Sequence, residues 1–436
     1  VAVLATVLGF VSLYVSPVPM IQDFGKMLTI GVIISFIGSI FLLTPILCLR
    51  DKTGGDDKAK NFLAKKDTPE KETLLDKILK FTTKAVIKFA VPILIIVIGL
   101  SVAGFMADKN VGVETDIETF MPQDMDALED MHVVRDTVGS TDQIAIYMKA
   151  DNILTEENIN WIQTKSKEIE EKYDEIVVKV NSIDTLVENL SSNENLSHKE
   201  YIDIIDTLPK KMSSMFINDE KTEAVILLSI EHLPTEDLQT FAAQLENEIK
   251  DAPMEIHITG KSILDIEMVN GLTSGRIKMT VLGLLLVFAA LLVIYRNPIK
   301  ALIPIFPVGL IVGMSSGIMY LLGIKFTPIT ATLGALVLGM GSEMTIMLLE
   351  RYLEERKLGK GKHEAMLIAV TMIGKAIVAS GLTTVGGFSV LMLSEFVILK
   401  DFGLMTVINI SLALISTFVI LPPVIILFDK LILGKE

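Results

Sequence analysis

A single cysteine, Cys48, stands in 436 residues, so no disulfide framework can form within the chain. Other signatures are missing as well. Trp161 and the histidines His132, His198, His232 and His257 fall at spacings that match no metal motif, and no metal is expected. There is no HExxH, CxxC or GxSxG, and no glycine-rich loop ending in Lys-Ser or Lys-Thr. Without a phosphate loop the chain is not expected to hydrolyse ATP, and neither an enzyme nor a cofactor is indicated. The soluble stretch is acidic and the basic excess lies with the apolar portion, which argues against nucleic acid as a partner.

Apolar length is abundant. Half of the residues are hydrophobic although 21% are charged, and mean hydropathy is +0.54. That mixture predicts membrane spans joined to a charged soluble domain. Windows of about 20 apolar residues mark eight spans, near 1–16, 27–49, 84–106, 277–295, 299–322, 327–350, 367–393 and 403–428. Val1–Val15 shows no basic region before it and does not read as a signal peptide. It reads as the start of the C-terminal part of a longer protein.

Charge is divided unevenly. Residues 107–275 hold 13 Lys+Arg against 36 Asp+Glu, a net of −23, and the remainder holds 26 against 17, a net of +9. Clusters after Leu49, at Arg296 and Lys300, and from Arg351 to Lys362 fall on one face when the eight spans alternate. The positive-inside rule makes that face cytoplasmic. Residues 107–275 then lie outside a plasma or inner membrane. The expected order is two spans (1–50), a cytoplasmic linker with an amphipathic helix around Leu74, Leu75, Ile78, Leu79 and Phe81 (51–83), one span (84–106), an extracytoplasmic domain (107–275) and a five-helix membrane bundle (276–436).

The soluble region alternates strand and helix. Strands are expected at 143–149, 176–180, 223–230 and 255–259. Helices are expected at 155–172 and 235–249, with Thr155 and Thr235 as N-caps, and three short ones follow the second strand. Two strand–helix–strand units predict an α+β fold of the ferredoxin-like kind. A helix over 261–276 leads back to the membrane.

The chain also repeats itself. Residues 1–52 align on 379–430 without gaps, about a third of positions being identical. Asp23-Phe24-Gly25 meets Asp401-Phe402-Gly403, and Asp51-Lys52 meets Asp429-Lys430. The chain thus reads as the last two spans of one repeat and the six of a second, a transporter pattern.

Within the span 327–350 stands one carboxylate, Glu343. A charge in a span is costly, by about 2.5–3.5 kcal/mol, and marks a functional site. Thr383, Thr384 and Asn409 in the next two spans could hydrogen-bond it along an ion path. The bland alternative is that these three bond their own helices. Gly313 and Gly317, with Gly339 and Gly341, indicate close helix packing. Pro304 and Pro307 suggest a kink, and Glu350 with Arg351 a surface ion pair and topology anchor.

The run Gly339-Met340-Gly341-Ser342-Glu343-Met344, with Leu348-Leu349-Glu350-Arg351-Tyr352, resembles the resistance–nodulation–cell division (RND) superfamily. Thr383-Thr384, Gly387-Phe388, Ser394 and Phe402-Gly403 add to the resemblance. It is nearest to the archaeal hydrophobe/amphiphile exporters and the mycobacterial membrane protein large (MmpL) and hopanoid transporters. The likeness runs from family span five to span twelve. It implies an ion-gradient-driven secondary exporter whose fourth and tenth spans face each other and whose acidic residues pass the driving ion. Glu343 sits where the family often has Asp followed by Tyr. Met344 stands in the tyrosine's place and cannot relay a proton. The implied partners are membrane lipids, a hydrophobic or amphiphilic cargo, the missing N-terminal repeat and, since oligomers occur in the superfamily, a homo-oligomer. Sterol-sensing or Patched-type regulators and protein-export auxiliary factors share the architecture and form the alternative.

Overall fold

The computed structural model describes residues 1–53, 73–140, 142–191 and 197–433. The expected linker falls largely outside them. The chain divides into two compact units, Val1–Glu114 with Gly271–Glu436, and Thr115–Asn270.

The first unit is helical. Helix α1 (Ala2–Val11) runs into a 3-10 turn, Ser12–Val15. Helix α2 (Pro19–Gly38) starts on a proline, whose missing N–H costs nothing at a helix start. A π turn, Ser39–Leu43, joins it to α3 (Thr44–Thr53). Helix α4 (Leu74–Lys88) opens with a capping box between Thr73 and Asp76, and α5 (Ala90–Ala107) follows at once.

The second unit begins with α6 (Ile117–Phe120) and α7 (Asp126–Val138), which have no counterpart in the sequence expectations. It continues with β1 (Asp142–Lys149), α8 (Glu156–Lys172), β2 (Val177–Asn181), the short helices α9 (Ile183–Leu190), α10 (His198–Thr207) and α11 (Lys210–Ser213), β3 (Glu223–Ile230), α12 (Thr235–Glu248) and β4 (Glu255–Thr259). The sheet is antiparallel throughout, in the order β2-β3-β1-β4. Alternation aims Ile144, Ile146 and Met148 of β1 and Ala224, Ile226, Leu228 and Ile230 of β3 to one buried face. There they meet Ile159, Ile162 and Ile169 of α8 and Phe241 and Leu245 of α12. Thr155 caps α8 by accepting from the Asn158 N–H. Thr235 does not cap α12: it is the first helical residue, Pro234 holds the cap position, and no side chain satisfies that end.

The chain returns through α13 (Lys261–Tyr295), α14 (Pro298–Leu322), α15 (Leu333–Lys357), α16 (Lys362–Ser389), α17 (Val397–Val419) and α18 (Leu421–Leu433). Among the described residues seven helices are long and apolar enough to cross a membrane, and Ala2–Val15 is a shorter apolar helix. Eight spans were expected; by length and composition there are seven. The last of them stops at Val419 rather than near 428, because Pro422 and Pro423 open a separate helix. Helix α14 continues through Pro304 and Pro307, and Thr345 of α15 donates its hydroxyl to the Pro304 carbonyl at 3.0 Å.

The internal repeat is visible in the backbone. A second four-residue 3-10 turn, Val390–Leu393, sits where the offset from Ser12–Val15 places it, and α17 starts where α2 would be copied. A Cβ on Gly25 would stand 2.7 Å from the Leu13 Cβ, and one on Gly403 would stand 2.7 Å from the Leu391 Cβ. The two copies touch through Phe24 and Phe402, edge to face at 5.9 Å.

Candidate functional site

Helix α15 is the most deeply buried of the spans, and its small residues make that possible. Gly339 lies against Phe10 and Thr6 of α1, where a Cβ would come within 3.0 Å of the Phe10 ring. Thr6 donates its hydroxyl to the Gly339 carbonyl at 3.1 Å. Gly341 is in ordinary contact with Val308 of α14 and Ala413 of α17. Gly313 and Gly317 of α14 pack on Ser101 and Gly104 of α5, where a Cβ on Gly104 would overlap the Gly313 carbonyl. Both pairs are sites of close helix approach.

Glu343 is half-buried on α15, and its neighbours on the same helix are satisfied locally. Ser342 donates to the Gly339 carbonyl, and Thr345 donates to those of Gly341 and Ser342. The Glu343 carboxylate has no ion-pair or hydrogen-bond partner among the described residues. It lies instead where two cavities meet. One, of about 260 Å³, lies between α15, α16 and α17 and includes Met344, Met347, Ser380 and Ile410. The other is an open groove of about 490 Å³ between α1, α2, α15 and α16, and it includes Thr6, Phe10, Gly31, Ser35 and Ser39. Met340, Glu343 and Thr384 line both.

The structure therefore separates the residues read from sequence. Thr384 shares both cavities with Glu343, its hydroxyl donating to the Ser380 carbonyl at 3.0 Å. Thr383 is exposed on the other side of α16 and donates to Ala379 of its own helix at 2.8 Å. Asn409 is buried at 1% exposure, lines neither cavity, and leaves both amide atoms without a hydrogen bond. Thr406, one turn away, is buried with an unpartnered hydroxyl as well.

Other residues escaped the sequence reading. Thr6 lines the larger cavity. The repeat could have found it, since Thr6 aligns with Thr384 at the same offset as the Asp-Phe-Gly runs. Asp429 accepts from the Tyr352 hydroxyl at 2.5 Å and from Arg356 at 3.0 and 2.9 Å, which fastens α18 to the end of α15. Asp76 pairs with Lys375 at 2.8 Å and ties α4 to α16. The expected pairing of Glu350 with Arg351 is not made: Arg351 binds Glu354 at 2.9 Å and Glu355. Adjacent helical residues point apart, and those three and four on lie on one face. At the opposite end of the unit Arg276 holds Asp108 through two bonds of 2.7 and 2.8 Å and stacks 3.8 Å over the Phe326 ring.

These features define a multi-pass membrane protein with an α+β unit inserted among its helices and a lone carboxylate at a junction of intramembrane cavities. The chain belongs to the MMPL family, within the RND superfamily: the family model matches residues 119–433. The putative membrane protein MJ1562 of Methanocaldococcus jannaschii is 26% identical over 350 residues, 77% of this chain and 90% of that protein. The apo-petrobactin exporter of Bacillus anthracis is 26% identical over 190 residues, 42% of this chain and 26% of that one. Among solved structures, the hedgehog release protein Disp of the water bear Hypsibius dujardini superposes with a TM-score of 0.65 at 11% identity. That match covers 97% of this chain and 57% of Disp, and at this identity it concerns the fold alone.

Proposed function

We propose that the chain is the C-terminal part of an ion-gradient-driven exporter of hydrophobic or amphiphilic, lipid-like molecules, with Glu343 as the coupling residue. The observation that carries this reading is the carboxylate's position. An acidic group without a fixed partner, at the meeting point of two cavities in a membrane unit, can alternate between charged and neutral states as ions arrive and leave. Thr384 is the hydroxyl placed to assist it. Thr383 has no part in this scheme. Asn409 would act from behind, its unpaired amide accepting water or a rotated neighbour during the cycle.

The exporter reading also draws on the family, which includes a protein named as an exporter of apo-petrobactin. The unit 115–270 takes the part of an extracytoplasmic cargo domain. Its two strand–helix–strand passes and strand order β2-β3-β1-β4 support the ferredoxin-like reading. Spans α1 to α3 would complete a preceding repeat, giving eight spans here.

The test is cargo flux from vesicles containing the reconstituted protein under a set ion gradient. Glu343→Gln is expected to abolish flux while leaving expression and folding intact. Full flux in that variant would reject the coupling role. Flux that ignores collapse of the gradient would reject ion coupling, and no cargo flux at all would favour the non-transporting Patched-type regulator or the export-factor reading.

A further inference from the structure

The unit 115–270 holds a second group of ionisable side chains, well apart in sequence. Ligand atoms of Asp116, Glu118 and His232 all lie within 4.8 Å of one another. Asp116 caps α6, its Oδ1 accepting from the Glu118 N–H at 3.0 Å, which leaves Oδ2 turned to His232. His232 follows β3. Its Nδ1 is 2.7 Å from Oδ2 of Asp142, the first residue of β1. A carboxylate accepts and does not donate, so this contact places the imidazole proton on Nδ1.

The consequence falls on the other ring nitrogen. In a neutral ring Nε2 then carries a bare lone pair, and it faces Oδ2 of Asp116 at 3.3 Å. Either a proton on Nε2, which makes the ring an imidazolium paired with both aspartates, or a metal ion between the two atoms satisfies this contact. Ligands on a tetrahedral ion with bonds of about 2.0–2.1 Å stand about 3.3 Å apart, which is the separation found. Arg135 binds Oε1 of Glu118, and Oε2, which pairs with His132 at 3.5 Å, lies beside the same point. A carboxylate behind the distal nitrogen of a ligating histidine is the usual support in metal sites.

We propose that Asp116, Glu118 and His232 bind a divalent transition-metal ion of the zinc class, with Asp142 orienting His232. One imidazole and two carboxylates suit such an ion, whereas calcium and magnesium favour all-oxygen shells. The ion would staple the first turn of this unit to the ends of β1 and β3. Sequence spacing gave no hint of it, because 116 and 232 are brought together only by the sheet.

The test uses the full chain in detergent, stripped with a chelator and titrated with Zn²⁺ alone at pH 7.5. One ion per chain is expected, together with a rise in the thermal midpoint. His232→Ala should abolish both while retaining the metal-free midpoint, and Asp142→Asn should weaken binding by about tenfold or more. Excess Mg²⁺ should not compete. The assignment fails if no saturable binding is found in natively folded protein, or if Zn²⁺ binds the His232→Ala and Glu118→Gln variants as tightly as the parent. The Glu118→Gln variant keeps the test decisive if His232→Ala does not fold.

Discussion

Asp429 and Glu343 are both carboxylates on membrane-unit helices, and they differ in company. Asp429 is met by a tyrosine and by an arginine through two bonds, with its side chain at 7% exposure. Removing one member of such a group strands the others. Asp429→Ala should therefore lower stability by about 3 kcal/mol, and Tyr352→Phe, which removes one hydrogen bond, by about 1 kcal/mol. Denaturant titration in detergent measures both; equal effects would show that the arginine adds nothing. Glu343 has no such partners, and the side chain beside it that faces the same cavities is Thr384. Thr384→Val should slow flux roughly threefold, matching about 0.6 kcal/mol for an intramembrane hydrogen bond. Thr383→Val, on the exposed side of the helix, should leave flux unchanged. A reversed order would mean that α16 presents its other face during transport. The sequence placed a threonine pair near Glu343 but could not say which member faced it. Adjacent helical positions differ by about 100°, and only packing sets the rotation.

At the scale of elements, most of the soluble unit was legible because its signals are local. Period-two alternation marked β1, and Thr155 marked the start of α8. Thr235 misled because Pro234 already fixes the backbone ahead of the helix. Helices α6 and α7 went unread, since the apolar residues of α7 form no single buried stripe: Leu128 is deeply buried while Val133 and Val134 are exposed. Helix α4 was expected as an amphipathic helix, and it buries Leu79 and Val86 while Leu74, Ile78 and Phe81 stay exposed. What holds it, the long-range pair of Asp76 with Lys375, has no sequence signal. Hydrogen bonds from Lys375 and Thr73 hold the Asp76 carboxyl down at about 2, against an ordinary 3.8. A depressed folded value stabilises docking fully above the ordinary value and is lost as pH falls through the folded one. Hydrogen exchange along α4 should therefore stay slow at neutral pH and accelerate as the pH drops from about 4 towards 2. In Asp76→Asn that acid-induced step should vanish and exchange should be faster at neutral pH; an unaltered profile would remove the pair as the clasp.

The whole molecule joins an acidic stretch, −23 over residues 107–275, to a remainder at +9. In a membrane protein such asymmetry bears on orientation, because basic loops are retained on the cytoplasmic side. Orientation in turn decides which leaflet or compartment cargo can come from, so the exporter reading depends on it. The single native cysteine makes this easy to test. In a Cys48→Ser background, one chain carries Asn247→Cys, on the exposed side of α12, and another carries Lys362→Cys, exposed at the start of α16. Neither position lies in the buried core of its unit, so both sulfhydryls should be reachable by a membrane-impermeant maleimide added on the correct side. Intact cells should label the first variant only, and permeabilised cells both. Labelling of Lys362→Cys in intact cells would invert the protein. Glu343 would still lie between its two cavities, but the unit 115–270 would then face the cytoplasm and could not receive cargo on its way out.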